Sequence, residues 1–226
     1  MAFFTKAEIK QRMIEKRKES PRNRADLNMA LIILGSGLFE KRLWSGRDYG
    51  EHPLSVGLMN TRSLAKILIG LLHDIIEDSD WTIDDLREVG FSKRVLNGVE
   101  AMTKGENELY FDFIERCSLN KDALDKKIDD ISHNLDLSRS DKLFDPVKDT
   151  ERVNKYIVSK AYLVAVKKGR VAAGSSMIDF INSRGDFKDD VRVQFLIPQY
   201  SSHAPKPAND LLPPQPDIKT GTAPAP

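Results

Sequence analysis

Leu64-Ala65-Lys66-Ile67-Leu68-Ile69-Gly70-Leu71-Leu72-His73-Asp74-Ile75-Ile76-Glu77-Asp78 is the stretch whose reading decides the fold. Leu64, Ile67, Leu68, Leu71, Leu72, Ile75 and Ile76 recur at helical spacing. Thr61 is placed to cap this helix at its start. His73 and Glu77 are four residues apart, as are Asp74 and Asp78. A continuous helix therefore puts an imidazole and three carboxylates on one side. The other side is Leu and Ile. Packing does not call for such a set. A half-buried carboxylate cluster repels itself unless something positive sits within it. A divalent cation is the obvious candidate.

Working outward, the same period recurs along most of the chain. Thr5 and Glu8 form a capping-box start for a helix to about Glu19, read as a solvated leading helix. Pro21 ends it. Ala25–Phe39 carries apolar residues throughout and reads as a core helix. Trp44–Glu51 reads as a loop. Thr82 with Asp85, and Ser92 ahead of Val95, Leu96, Val99 and Met102, begin two further helices. Leu109–Ser118, Lys121–Leu137 behind Asn120, Thr150–Lys168 and Val171–Ile181 complete the set. Val191–Ile197 alternates weakly and is expected as one short strand. No βαβ pattern and no internal repeat is present. The expected fold is all-α, with a folded domain over residues 1–185 and a Pro-rich, disordered tail over 186–226.

The chain has 226 residues, enough to bury a real core. Its 35 basic and 34 acidic residues give a net charge of +1, which argues against a protein that coats nucleic acid. One cysteine, Cys117, allows no internal disulfide and fits a reducing compartment. It is read as packed in a helix rather than reactive. The start turns charged too soon for a signal peptide, and no apolar run approaches the ~20 residues needed to span a bilayer. No membrane partner is expected, and the expected location is the cytoplasm.

His73 and Asp74 supply two ligands at most, and others are on offer. His52 follows the loop in Tyr49-Gly50-Glu51-His52-Pro53. Asp130 lies in Lys127-Ile128-Asp129-Asp130-Ile131-Ser132-His133-Asn134. Helical register and the spacing to Asn134 favour Asp130 over its neighbour Asp129. Two imidazoles with two carboxylates make a mixed nitrogen and oxygen site, better suited to manganese, iron or zinc than to calcium or magnesium. His133 is read as a structural histidine, and His203, in the tail, as uninvolved. The charge-rich runs Lys6–Lys18 and Lys121–Lys127 are read as solvated faces.

These motifs resemble the HD superfamily of metal-dependent phosphohydrolases, and within it the hydrolase domain of RelA/SpoT-type alarmone hydrolases, including the small stand-alone ones. Three ordered segments carry the resemblance: Gly46–Val56, with Tyr49 and His52-Pro53-Leu54; Leu71–Asp78 followed by Thr82; and Lys127, Asp130 and Asn134 in a single run. Val99-Glu100-Ala101-Met102-Thr103-Lys104 matches the family's intervening helix end. The likeness spans roughly Ala25 to Leu163, with core motifs over 46–134. It implies an HD-type helical bundle in which His52, His73, Asp74 and Asp130 hold one metal. Mn²⁺ is the first expectation, with Fe²⁺ and Zn²⁺ as alternatives. It further implies that Glu77 and Asp78 position and deprotonate the attacking water, and that Asn134 contacts the substrate. Read from the residues alone, Lys127 is either a plain surface lysine or a contact to a substrate phosphate, with the second preferred. The implied reaction removes the 3′-pyrophosphate of guanosine tetra- or pentaphosphate, with no synthetase activity. A homodimer follows only by analogy.

Two departures bear on the substrate. The family's Arg-Lys-Ser-Gly segment is Leu43-Trp44-Ser45-Gly46 here, with Arg47 nearby but out of register. Trp44 is expected to stack on a base and Arg47 to face the substrate. Arg-Leu-His-Asn-Met-Arg-Thr is replaced by Ile131-Ser132-His133-Asn134-Leu135-Asp136-Leu137. The altered base side leaves two other readings open. One is an HD phosphohydrolase acting on a nucleoside monophosphate or cyclic nucleotide. The other is a non-catalytic nucleotide-binding regulatory module, against which Glu77 and Asp78 speak.

Overall fold

The computed structural model describes residues 4–19, 22–38, 50–136 and 148–203. Trp44 and Arg47 lie outside these residues, as does the part of the expected tail from residue 204 onward. The described chain is all-α, and no strand occurs within it.

Helix α1 (Lys6–Arg17) begins at the Thr5–Glu8 capping box. It is less solvated than its composition suggests. Ile9 and Met13 enter the core. Lys6 and Lys10 both reach Asp85, at 2.6 Å each, and Arg17 reaches Asp26 and the Val89 carbonyl, at 2.8 Å each. Helix α2 is Arg22–Leu38, and α3 is Glu51–Leu58. That short helix, absent from the sequence reading, carries His52.

Helix α4 (Leu64–Leu72) is the centre of the bundle, enclosed by α2, α3, α7 and α9. It starts at Ser63 rather than Thr61, whose hydroxyl instead accepts the Ser63 amide at 3.0 Å. The expected continuous helix breaks at His73-Asp74, and the chain resumes as α5 (Ile75–Asp78). Asp74 sits at φ −98°, ψ −4°, a geometry typical of turns. The four polar residues therefore do not form one helical stripe.

The next helices follow the caps read from sequence. Thr82 and Asp85 form a capping box for α6 (Ile83–Glu88), Ser92 caps α7 (Lys93–Met102), and Asn120 caps α9 (Lys121–Asn134) through the Asp122 and Ala123 amides. Between the last two lies α8 (Tyr110–Ser118). Helix α10 (Lys148–Lys167) packs on α8 and α9. Only the end of the expected 171–181 helix forms, as α11 (Met177–Ser183).

Val191–Ile197 is helical rather than a strand. Asp190 accepts the Arg192 amide and starts α12 (Val191–Gln194), followed by α13 (Ile197–Tyr200). The alternation reflects a short amphipathic turn: Val193, Leu196 and Ile197 are buried while Val191 and Phe195 are exposed. Packing thus continues beyond the expected boundary at residue 185. Phe187 and Ser201 are buried, and α12 and α13 rest on α10 and α8. No helix among the described residues is long and apolar enough to cross a membrane.

Candidate metal centre

His52, His73 and Asp130 are each almost fully buried, and they come from α3, the end of α4 and α9. Two devices bring these helices together. The first is a glycine contact between α3 and α4. A Cβ on Gly70 would lie 2.7 Å from Gly57 Cα, closer than real side chains approach backbone. The second is Lys126. Its fully buried ammonium donates to the carbonyls of Val56 (2.9 Å) and Met59 (2.7 Å) at the end of α3. Those carbonyls have no partner within their own helix, and a cation there complements the helix dipole. Asp129 balances Lys126 at 2.8 Å and accepts the Asn60 amide at 2.8 Å. Asn60 takes the left-handed conformation, φ 50°, that asparagine tolerates after a helix. Asp129 is therefore committed to this lock, which leaves Asp130 for the centre.

One donor atom from each of His52, His73 and Asp130 lies within 4.8 Å of the others. His52 Nε2 is 3.1 Å from Asp130 Oδ1, and His73 Nε2 is 3.7 Å from the same oxygen. Asp74 joins from the turn: its Oδ2 stands 3.1 Å from His73 Nε2 and 3.7 Å from His52 Nε2. All four expected ligands thus converge, with Asp74 at the edge of the three-residue group.

The orientation of the rings suits a cation. His73 Nδ1 is 2.8 Å from the Gly70 carbonyl, which as an acceptor fixes the Nδ1–H tautomer and turns the Nε2 lone pair toward the carboxylates. His73 Nε2 is buried and makes no hydrogen bond, even though Asp74 lies within 3.1 Å. His52 Nδ1 stands 2.7 Å from His133 Nδ1, so His133 holds His52 from behind. Asp130 is itself braced. Asn134 Nδ2 donates to Oδ1 at 2.7 Å, and Lys127 Nζ pairs with Oδ2 at 2.8 Å.

The electrostatics agree. Burial opposes charge on His73, yet Asp74 and Asp130 outweigh it and raise the imidazole to about 9. Burial also disfavours the Asp130 carboxylate, but the Lys127 charge and the His52 contact hold it well below the usual range. Asp74 is lowered, chiefly by His73 against its own burial. The cluster attracts positive charge, which a proton on His73 or a cation can supply.

Glu77 and Asp78 lie beyond the break, on α5. Glu77 Oε1 accepts the Lys104 amide at 2.7 Å. Desolvation raises its carboxyl although the residue is exposed overall, while Lys104 and Lys127 oppose the shift and Asp74 adds to it. Asp78 is half-buried. Asn134 and Lys127, expected on a substrate, both engage Asp130 in this structure. Lys126 and Lys127 are buried rather than solvated.

Two contributors escaped the sequence reading, Lys126 and the Gly57–Gly70 pair, while His133, read as a structural histidine, holds His52. A faint signal existed for Lys126. Lys126, Lys127, Asp129, Asp130 and His133 place five ionisable groups on one helix at spacings of three, four and seven, some of which must face inward. Cys117 is buried, and burial pushes its thiol up to about 12, as suits a packed and unreactive cysteine. No protein-family model matches the chain.

Proposed function

We propose that the protein is a metal-dependent phosphohydrolase of the HD type, acting on a phosphorylated nucleotide. The observation that carries this reading is the buried convergence of His52, His73 and Asp130 from three helices, with His73 Nε2 left without a hydrogen bond. Two imidazole nitrogens and carboxylate oxygens suit Mn²⁺, Fe²⁺ or Zn²⁺. On this reading His52, His73, Asp74 and Asp130 hold the cation. When bound, it would lower the pKa of a water and polarise a phosphoryl oxygen.

The surrounding residues have distinct tasks in this proposal. His133 and the Gly70 carbonyl orient the two imidazoles. Lys127 and Asn134 hold Asp130. Glu77, with a raised carboxyl and one oxygen fixed on the Lys104 amide, accepts a proton from the attacking water. Asp78 assists in placing that water.

The resemblance in motif order points to guanosine tetra- or pentaphosphate, with loss of the 3′-pyrophosphate. A second reading, hydrolysis of another nucleotide such as a monophosphate or cyclic nucleotide, draws on one observation. Ile131, at the position of the family's first Arg, is fully buried and offers no polar contact to a base. The test is to incubate the full chain with Mn²⁺ and guanosine tetraphosphate, GTP, deoxynucleoside monophosphates or cyclic nucleotides. Pyrophosphate released from guanosine tetraphosphate alone is the expected result. Turnover of the other nucleotides only would replace the first reading by the second. Tight nucleotide binding without turnover would mean a regulatory module.

A further inference from the structure

A second set of metal-ligating side chains lies outside the centre described above. Asp112 and Glu115 are three residues apart and so project from one side of α8. Beyond α13 the chain folds back onto that side. One donor atom each of Asp112, Glu115 and His203 then lies within 4.8 Å of the others.

Both carboxylates are held in place without being used up. Asp112 accepts the Ser202 amide, at 3.2 Å on Oδ1 and 3.1 Å on Oδ2, and the Ser201 hydroxyl at 3.3 Å. Glu115 Oε1 accepts the Met177 amide at 2.6 Å. Glu115 is only 9% exposed, and its other oxygen makes no hydrogen bond among the described residues. Glu115 and His203 line a cavity of about 450 Å³ together with Asp179 and Ser176. Glu115 is largely buried, but this second oxygen stays open to the groove, where the neighbouring Asp112 and Asp179 carboxylates repel it unless a cation meets them.

We propose that Asp112, Glu115 and His203 form a second divalent-cation site, suited to Zn²⁺, that fastens the 201–203 segment to α8. One imidazole nitrogen with two carboxylate oxygens suits zinc, whereas calcium and magnesium prefer oxygen alone. The amides of Ser202 and Met177 are the outer partners that orient ligating carboxylates. The site is independent of the phosphohydrolase reading.

Equilibrium dialysis of the full chain against Zn²⁺ tests the assignment, with His203→Ala, His52→Ala and the double variant alongside. The expected stoichiometry is two ions for the parent chain, one for each single variant and none for the double. His203→Ala should leave the affinity of the remaining ion within about twofold, as expected for distant, independent sites. His203 is exposed, so its loss does not threaten folding, and circular dichroism checks this. Glu115→Gln supplies a second variant and should also lose one ion. Zinc should raise the melting temperature of His52→Ala but not that of the double variant. Unchanged stoichiometry in His203→Ala overturns the proposal. A single ion in the parent chain that disappears with His203→Ala leaves this site standing and removes the His52–His73–Asp130 centre instead.

Discussion

Gly57 and Gly70 touch backbone to backbone, and that contact sets the separation between His52 and His73. A Cβ on Gly70 would stand 2.7 Å from Gly57 Cα and 2.9 Å from its nitrogen, with no flexible side chain to yield. Gly70→Ala must push α3 off α4. It should cost about 1–3 kcal/mol in urea unfolding, the usual range for overpacking. Cation affinity at the centre should fall in the same variant. Undiminished affinity would mean that α3 is positioned by other contacts.

His133 acts on the centre through His52. With Nδ1 to Nδ1 at 2.7 Å, it fixes the ring whose Nε2 faces Asp130. Replacing such an outer partner typically weakens metal binding 10–100-fold. His133→Ala is expected in that range by competition against a chelating dye, with the helical content of the parent chain. An affinity equal to that of the parent would return His133 to a purely structural role.

Lys126 is a buried charge that serves the fold. Lys126→Met removes its hydrogen bonds to the end of α3 and leaves buried Asp129 with Asn60 as its one side-chain donor among the described residues. Breaking a buried pair from one side costs about 3–5 kcal/mol. Chemical denaturation of Lys126→Met, Asp129→Asn and the double variant should reveal strong coupling between the two positions. Additive losses would contradict the pairing.

Acid should loosen α1 from α6 before it reaches the core. Burial disfavours the Asp85 carboxylate, but Lys10, Lys6 and Thr82 outweigh this and hold it well below its ordinary 3.8. A depressed folded-state pKa gives stability that is complete above the unfolded value and is lost as pH falls through the folded one. Stability should therefore decline from about pH 4 downward. Asp85→Asn should flatten that decline and lower stability at neutral pH. An unchanged acid profile would show that the Lys6–Lys10–Asp85 cluster contributes nothing.

Roles on either side of the helix break should separate in kinetics. His73→Ala and Asp74→Ala are expected to lose both the cation and turnover. Glu77→Ala should keep the cation and lose most of the rate, on the order of 10²–10⁴-fold if the residue moves a proton. Parallel metal analysis and single-turnover assays distinguish the cases. Loss of the cation from Glu77→Ala would make it a ligand rather than a base.

By itself the sequence determined the helical class, the caps at Thr5, Thr82, Ser92 and Asn120, and the candidate ligands. These are local properties: a 3.6-residue apolar period and a side-chain oxygen reaching an amide two or three residues on. Tertiary structure decided the rest. It broke the central helix at His73-Asp74, so the cluster is assembled from three helices and not along one stripe. It made Val191–Ile197 helical, since burial against α10 and α8 overrode a weak alternation. The preference for Asp130 over Asp129, already legible in the spacing to Asn134, has its physical cause in the tertiary structure. Adjacent aspartates on a helix differ by about 100° in direction, so one turns to the Lys126 lock and the other to the two histidines. A feature such as the His73-Asp74-Glu77-Asp78 set names its chemistry in sequence. Which atoms meet depends on a glycine contact and a buried lysine far from it along the chain.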